Sequence, residues 1–484
     1  MNPTTVILFI LGYFGLLMLI SFLTSKGADN NTFFIGAKKS PWYLVAFGMI
    51  GASLSGVTFI SVPGWVGASE FSYMQMVLGY FFGYAVIALV LMPLYYRLQL
   101  TSIYTYLEDR FGYYSYKTGA AFFLLSRTIG AAFRLFLVAQ VLQYLIFNQW
   151  GVPFFVTVAI TILLIWLYTF KGGIKTIVWT DSLQTLFMLI AVGVSIYFIS
   201  TELNIGISDI VSKVGESDYG QIFFLDDWND KRHFIKQFFA GMFITIVMTG
   251  LDQDMMQKNL SCKNIKEGQK NMFSFSVVLI AVNFVFLLLG ALLFMYATQN
   301  GVAIPEKLDN LFPEIATNHL PTVAGIFFIL GLVAAAYSSA DSALTALTTS
   351  VCIDFLDINN KSESLKVKLR KQVHLIVSFA LFFVILIFNL INDESVISSL
   401  FKAAGYTYGP LLGLYAFGLI TKRSVKDKFV PIICIASPII SFMLNLYSKE
   451  LFNGYQFGFE ILIVNGLLTF IGLWGISYQG KERV

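Results

Sequence analysis

The stretch Val333–Ser350, VAAAYSSADSALTALTTS, lies in an apolar run from about residue 321 to residue 352, long enough to cross a bilayer. On a helix its polar residues share one face, which aligns Ser338, Asp341, Ser342, Thr345 and Thr349. A carboxylate inside a membrane span is costly and usually faces a partner or a wet cavity. Hydroxyls beside a carboxylate make an all-oxygen site that suits Na+. A small-residue stripe for helix packing is the alternative, but Asp341 favours the ion site.

The composition is that of a polytopic membrane protein. Of 484 residues, 57% are hydrophobic and 12% are charged, and the mean hydropathy is +0.74. The net charge of +4 follows from basic loops, so we expect no nucleic-acid surface. Three scattered cysteines form no disulfide framework, and three distant histidines argue against a metal centre. We therefore expect one transmembrane domain over residues 1–484.

Hydropathy predicts an all-α protein with about 13 transmembrane helices. The predicted spans are about 4–24, 41–62, 71–98, 117–148, 153–171, 177–200, 235–257, 272–298, 321–352, 372–392, 396–420, 428–447 and 456–478. Alternate connections are basic, such as that of Lys258 and Lys263, whereas the connection at 201–234 is acidic. The positive-inside rule then places the N-terminus outside and the C-terminus in the cytoplasm. The expected location is the inner (plasma) membrane of the cell.

Spans two to six, about 41–200, and spans seven to eleven, about 235–420, look like two copies of one plan. Because five is odd, the copies must have opposite orientations, which is typical of secondary transporters. In such proteins the site lies where equivalent helices are interrupted. GASLSGVT at 51–58 and TGLDQD at 249–254 predict these interruptions, since small and polar residues favour unwinding. Close helix packing explains 51–58 about as well.

Further charges lie in the predicted spans. Arg134 is about seventeen residues into its span, too deep to snorkel easily, and Lys402 is one to two turns into span eleven. An arginine fork suits a carboxylate in two-point contact, so these cations predict an anionic solute. Internal neutralisation by Asp252 or Asp341 is the alternative. Asp181 is either an ion-site acid or a helix-start acid at the interface.

Five motifs together resemble the sodium:solute symporter family, which includes sodium/galactose, proline, iodide and sialic acid transporters. They are FFIGAKKSPWYLVAFGMIGASLSGVTF (33–59), LQLTSIYTYLEDRFG (98–112), LYTFKGGIKTIVWTDSLQ (167–184), TGLDQDMMQKNLSCKN (249–264) and AAAYSSADSALTALTTSVCIDFL (334–356). The resemblance implies the leucine-transporter type of fold, in which one helix precedes two inverted five-helix repeats and two follow.

The resemblance also implies where Na+ binds. The shared Na+ site would use the carbonyls of Gly51, Leu54 and Ala335 and the hydroxyls of Ser338 and Ser339. This agrees with an unwound helix, whose free carbonyls lie beside a closely crossing small-residue helix. Some members have a second Na+ site, which here would comprise Asp181, Ser338, Asp341 and Ser342. Because Asp341 replaces a hydroxyl of that site, either a second Na+ or a proton is expected there.

The expected function is Na+-driven import of a small organic, carboxylate-bearing solute by alternating access in the bilayer. Solute contacts are expected from Ser53, Ser55, Thr58, Arg134, Asp252, Gln253 and Lys402. Leu279 stands about where the sugar transporters carry a sugar-binding lysine, and Val77 about where the sialic acid branch carries a glutamine that contacts substrate. The resemblance therefore implies neither of these substrates. A Na+ symporter of a neutral solute such as a sugar, or a proton-coupled carrier of the same fold, is the alternative. We expect the protein to function as a monomer. We expect no enzymatic activity, because the predicted spans contain no recognisable cluster of nucleophile, base or metal ligands.

Overall fold

The computed structural model describes residues 3–24, 40–100, 102–391 and 395–479. Residues 33–39 of the first motif and Thr101 of the second lie outside the described residues. The α-helices of the described residues are α1 Pro3–Thr24, α2 Trp42–Ser69, α3 Tyr73–Val86, α4 Met92–Leu98, α5 Thr105–Arg110, α6 Tyr113–Leu145, α7 Phe154–Glu202, α8 Ile210–Gly215, α9 Phe234–Thr245, α10 Gln253–Leu260, α11 Ile265–Asn300, α12 Leu311–Glu314, α13 Thr322–Ser350, α14 Glu363–Ile391, α15 Val396–Thr407, α16 Gly409–Ile420, α17 Val430–Leu446, α18 Ser448–Leu451 and α19 Ile461–Gly475.

Short irregular turns and one strand pair complete the described chain. Wider helical turns occur at Ile87–Leu91, Ile246–Gly250, Ile315–His319 and Val351–Phe355, and tighter turns at Phe147–Trp150, Ile207–Asp209, Leu308–Asn310, Ile358–Asn360 and Asp427–Phe429. The strands β1 (Ser424–Val425) and β2 (Ser477–Tyr478) pair antiparallel, with Ser424 opposite Tyr478.

The expected all-α polytopic architecture is confirmed. Within the described ranges, nine helices are long and apolar enough to cross a membrane, and the bent pair α9–α10 raises the number to ten. Three more apolar helices are shorter: Phe154–Leu167, Gly409–Ile420 and Ile461–Gly475. They coincide with parts of predicted spans, but each is shorter than a bilayer requires. The number of 13 spans therefore remains a prediction.

Helical backbone runs through α7, where the sequence predicts two separate spans. The side chain of Thr161 faces the Tyr337 hydroxyl, and Asp181 contacts the neighbouring residue, Ser338. Two apolar segments of α7, Phe154–Leu167 and Thr176–Glu202, coincide with the predicted spans at 153–171 and 177–200.

Two helices are interrupted where the sequence predicts it. In α2 the helix breaks at Ser55, whose φ of 54° and ψ of 178° lie in a region that residues other than glycine rarely adopt. The bend between α9 and α10 is 66°, and Asp252 there has an extended backbone. Both predicted interruptions are thus confirmed.

The interrupted helices lie in the interior. Helices α2 and α13 are mostly buried, whereas α1, α14 and α17 are mostly exposed on their outer faces. Small residues allow the close contacts: a Cβ at Gly290 would lie only 2.7 Å from the Pro63 carbonyl oxygen. Such close approach is typical of packing between membrane helices. Gly290 thus packs α11 against α2, and Gly331 packs α13 against α2, since a Cβ there would lie 3.0 Å from the Phe59 ring.

Candidate functional site

Ser339 joins the interruption in α2 to the crossing helix α13. Its hydroxyl lies 3.3 Å from the Ala52 carbonyl oxygen on α2 and 3.5 Å from that of Ala335 on α13. Gly51, beside Ala52, donates its backbone N–H to Thr185 Oγ1 at 3.0 Å, and a Cβ at Gly51 would collide with this side chain. Backbone carbonyls and hydroxyls therefore meet in a buried, all-oxygen environment, which suits a hard cation.

All five residues expected at the first Na+ site lie in this region and are buried. They are Gly51, Leu54, Ala335, Ser338 and Ser339. The non-helical backbone at Ser55 interrupts the helical hydrogen bonding next to Leu54, so carbonyl groups there are available to a ligand.

Asp181 is fully buried inside α7, so it is not a helix-start acid at the interface. Its Oδ1 accepts a hydrogen bond from Ser338 Oγ at 2.7 Å. Its Oδ2 lies 2.7 Å from Lys258 Nζ of α10, and both side chains are only 1% exposed. The carboxylate expected at a second Na+ site thus has an ammonium partner that we did not predict.

Asp341 and Ser342 lie about one helical turn along α13 from Ser338. Asp341 Oδ1 accepts from the backbone N–H of Ser342 at 2.6 Å, and Ser342 Oγ is 3.3 Å away. Ser342 Oγ also donates to the Ser338 carbonyl oxygen at 3.0 Å. The four residues expected at a second site are therefore neighbours.

A cavity of about 70 Å³ lies beside the interruption in α2. Of the residues expected to contact solute, Ser53, Ser55, Thr58 and Arg134 line it. Further polar or aromatic lining residues were not predicted: Tyr73, Tyr80, Tyr84, Arg127, Thr245, Thr249, Asn283 and Phe401. The three tyrosines recur at intervals of seven and four residues, so they share one face of α3. The search for polar residues at helical spacing that identified the polar face of α13 would have identified this face of α3 as well.

The two arginines of the cavity differ in their partners. Arg127 is 3% exposed and forms ion pairs with Asp254 and, at 3.9 Å, with Asp252. It is therefore buried and paired, and it does not snorkel. Arg134 is 6% exposed, its Nε has no hydrogen-bond partner, and it forms no ion pair with any described residue. An unneutralised guanidinium thus lies at the wall of the cavity.

The other residues expected at the solute lie elsewhere. Asp252 is buried and accepts a hydrogen bond from the Tyr408 hydroxyl at 2.6 Å. Gln253 Oε1 accepts from the Ile103 backbone N–H at 2.9 Å. Lys402 is exposed and lines a second, outer cavity. Asp252 and Gln253 therefore join the interruption of α9–α10 to neighbouring elements.

Aromatic rings lie between the central cavity and the outer cavity, which has a volume of about 590 Å³. Tyr73 and Phe401 line the central cavity and stack with ring centroids 6.3 Å apart. Trp65 and Phe459 line the outer cavity, and their rings contact Tyr73 and Phe401 at 5.8 and 5.1 Å. These four rings form one aromatic layer, and each of its rings lines one of the two cavities.

Interrupted helices around a buried oxygen-lined site, with a narrow cavity beside it, define a secondary transporter. The model of the sodium:solute symporter family matches residues 33–427, and the chain belongs to that family. It is a multi-pass membrane protein that couples transport of a small solute to Na+.

Known relatives extend over nearly the whole chain. The sodium/sialic acid symporter NanT of Aliivibrio fischeri is 26% identical, over 92% of this chain and 88% of its own length. Sodium-coupled monocarboxylate transporter 1 of Mus musculus is 25% identical, over 81% of this chain and 64% of its own length. A solved substrate-bound, outward-open structure of a Na+-coupled sialic acid symporter has a TM-score of 0.82 and 22% identity, over 98% of this chain and 99% of that chain. At that identity the solved structure supports the fold alone.

Proposed function

We propose that the chain imports a small organic anion that bears a carboxylate, together with Na+. The observation that carries this proposal is the unneutralised Arg134 guanidinium at the central cavity. A buried charge without a partner is costly, and a carboxylate in two-point contact with the guanidinium would relieve that cost. Arg127 would not serve, because Asp254 and Asp252 already pair with it.

The relatives support a carboxylate. Sialic acid and monocarboxylates, after which two of them are named, are acids. The cavity wall here also includes the apolar Leu279 and the neutral groups of Thr58 and Asn283. Such a wall would contact the uncharged part of the solute. These contacts would determine which carboxylate-bearing solutes the cavity accepts.

Na+ binds, in this proposal, between α2 and α13 through Gly51, Leu54, Ala335, Ser338 and Ser339. The bound cation would hold the interrupted helix against α13 and so favour the state that binds solute in the adjacent cavity. Coupling then arises because Na+ and solute bind one conformational state better than the other. Loss of Na+ to a low-sodium cytoplasm would release the solute inside.

The remaining features of the proposal are architectural. We retain the two inverted repeats, about 41–200 and 235–420, since the interruptions occur in the first span of each. The chain would act as a monomer in the plasma membrane, with its N-terminus outside and no catalytic role.

Arg134→Gln tests the carboxylate. We expect it to weaken the affinity for carboxylate solutes by roughly 10–100-fold, because a hydrogen bond to a charged group is worth about 1.5–3 kcal/mol. The measurement is thermal stabilisation of the purified protein by sialic acid and by lactate, each compared with its neutral amide, with and without Na+.

Arg127→Gln is the matched comparison. It should lower the melting temperature without ligand, because it leaves Asp254 as an unpaired buried charge, whereas Arg134→Gln should not. The proposal is wrong if the amides stabilise the protein as well as the acids, or if Arg134→Gln keeps the affinity of the wild type.

A further inference from the structure

We propose that the Lys258 ammonium is the resident cation of Asp181, so that the chain binds one Na+ and not two. The inference rests on the proposed Na+ site between α2 and α13. It starts from the 2.7 Å distance between Lys258 Nζ and Asp181 Oδ2, in a pair whose side chains are both 1% exposed. A contact of that length is a charge-assisted hydrogen bond.

Both oxygens of the Asp181 carboxylate are already engaged. Lys258 donates to Oδ2, and Ser338 Oγ donates to Oδ1 at 2.7 Å. A Na+ at this carboxylate would have to displace an ammonium of equal charge that the chain itself holds in place. Displacement would also leave that ammonium buried without its partner, which is strongly unfavourable. The tethered cation therefore has the advantage over a free one.

The pair also gives Asp181 a positioning role. Because Ser338 donates its hydroxyl hydrogen to Asp181, its oxygen lone pairs remain available to a cation between α2 and α13. Lys258 in turn fixes the carboxylate that orients Ser338. Asp181 and Lys258 thus act on the first Na+ site through Ser338, and neither has to touch the ion.

Lys258→Met removes the resident cation and keeps a long side chain. The experiment measures binding of radioactive sodium to the purified full-length chain as a function of Na+ concentration. We expect the wild type to bind one Na+ with a Hill coefficient near one. In Lys258→Met, the vacated Asp181 carboxylate should bind a second Na+, and the Hill coefficient should rise above one. Lys263→Met is the control, because Lys263 is an exposed lysine five residues further along.

Two results would overturn the inference: two Na+ bound per wild-type chain, or a Lys258→Met protein that still binds one. Should Lys258→Met fail to fold, the paired variant Asp181→Asn with Lys258→Met removes both charges together. We expect it to bind one Na+ with weaker affinity than the wild type, because the carboxylate no longer orients Ser338. Wild-type affinity in the paired variant would contradict the positioning role of Asp181. A wild type that binds no Na+ would instead refute the site between α2 and α13, so the two failures are distinguishable.

Discussion

Ser55 is the residue at which the backbone geometry of the site is decided. Its φ of 54° and ψ of 178° end one half of α2 and begin the other, and such a conformation costs about 1–3 kcal/mol in residues other than glycine. Its Oγ accepts from the Val57 backbone N–H at 3.3 Å and offsets part of that cost. This conformation keeps neighbouring carbonyl groups out of the hydrogen bonds of the helix. One of the nearby carbonyl oxygens, that of Ala52, accepts a hydrogen bond from Ser339 of α13.

Ser339→Ala should weaken the binding of Na+ by roughly tenfold or more. The reason is the loss of an oxygen ligand, since a hydrogen bond or contact to a charged group is worth about 1.5–3 kcal/mol. A Na+ titration of the purified variant, followed by its thermal stability, measures this shift.

Thr348→Val is the control for Ser339→Ala. Thr348 is buried on the same helix, but its hydroxyl contacts His374 of α14 and no residue of α2. Its removal should leave the Na+ midpoint unchanged. Equal midpoints for Ser339→Ala and the wild type would exclude Ser339 as a ligand.

Single residues could be predicted where local spacing was informative. The helical spacing of Ser338, Asp341 and Ser342 predicted a polar face, which the structure buries. Lys258 was assigned to a basic loop, because the positive-inside rule counts lysines near span ends and cannot tell which one turns inward. Its partner Asp181 lies 77 positions away, and no local pattern connects residues that far apart.

At the scale of helices, the sequence predicted where a helix is interrupted. It did not predict which side chains bond to the carbonyl groups that the interruption frees. Gly250 and Asp252 marked the bend of α9–α10, since small and polar residues weaken a helix in the membrane. The contacts that stabilise the bend come from elsewhere: the Tyr95 hydroxyl donates to the Gly250 carbonyl oxygen, and that of Tyr104 to the Leu251 carbonyl oxygen, both at 2.9 Å. Those tyrosines belong to a different part of the chain.

The turn at Leu308–Asn310 caps helix α15 from outside the membrane spans. Asp309 Oδ2 accepts from the Val396 backbone N–H at 3.1 Å, at the first residue of α15. The Asp309 side chain is almost completely buried, and this burial raises its pKa to about 6. The folded protein therefore binds this proton more tightly than the unfolded chain, in which an aspartate has a pKa of about 3.9.

This raised pKa predicts a pH dependence of stability. As the pH falls from above about 6 towards about 4, the folded state takes up the proton first, so the free energy of unfolding should rise by about 1.4 kcal/mol per pH unit. Thermal unfolding in detergent between these limits measures the slope, and Asp309→Asn should remove this contribution. Glu306→Gln, an exposed neighbour, is the control. Identical slopes for Asp309→Asn and the wild type would contradict the prediction.

At the scale of the whole molecule, hydropathy and charge predicted the architecture, because the bilayer imposes helix length and internal hydrogen bonding on every span. The same reasoning placed a boundary between two spans inside α7, whose helical backbone is continuous over Phe154–Glu202. The cavities could not be predicted, since helices distant in sequence form their walls: Ser53 of α2, Asn283 of α11 and Phe401 of α15 line one cavity.

Orientation in the membrane is the last prediction. We expect Lys263→Cys to react with a membrane-impermeant maleimide only after cells are permeabilised, because the basic connection that contains it should be cytoplasmic. Ser212→Cys, in the acidic connection at 201–234, should react in intact cells. Both positions are exposed, and the three native cysteines are buried; burial also raises the pKa of the Cys262 thiol to about 12, which keeps it unreactive. Labelling of Lys263→Cys but not of Ser212→Cys in intact cells would contradict the predicted orientation and place the basic connection outside.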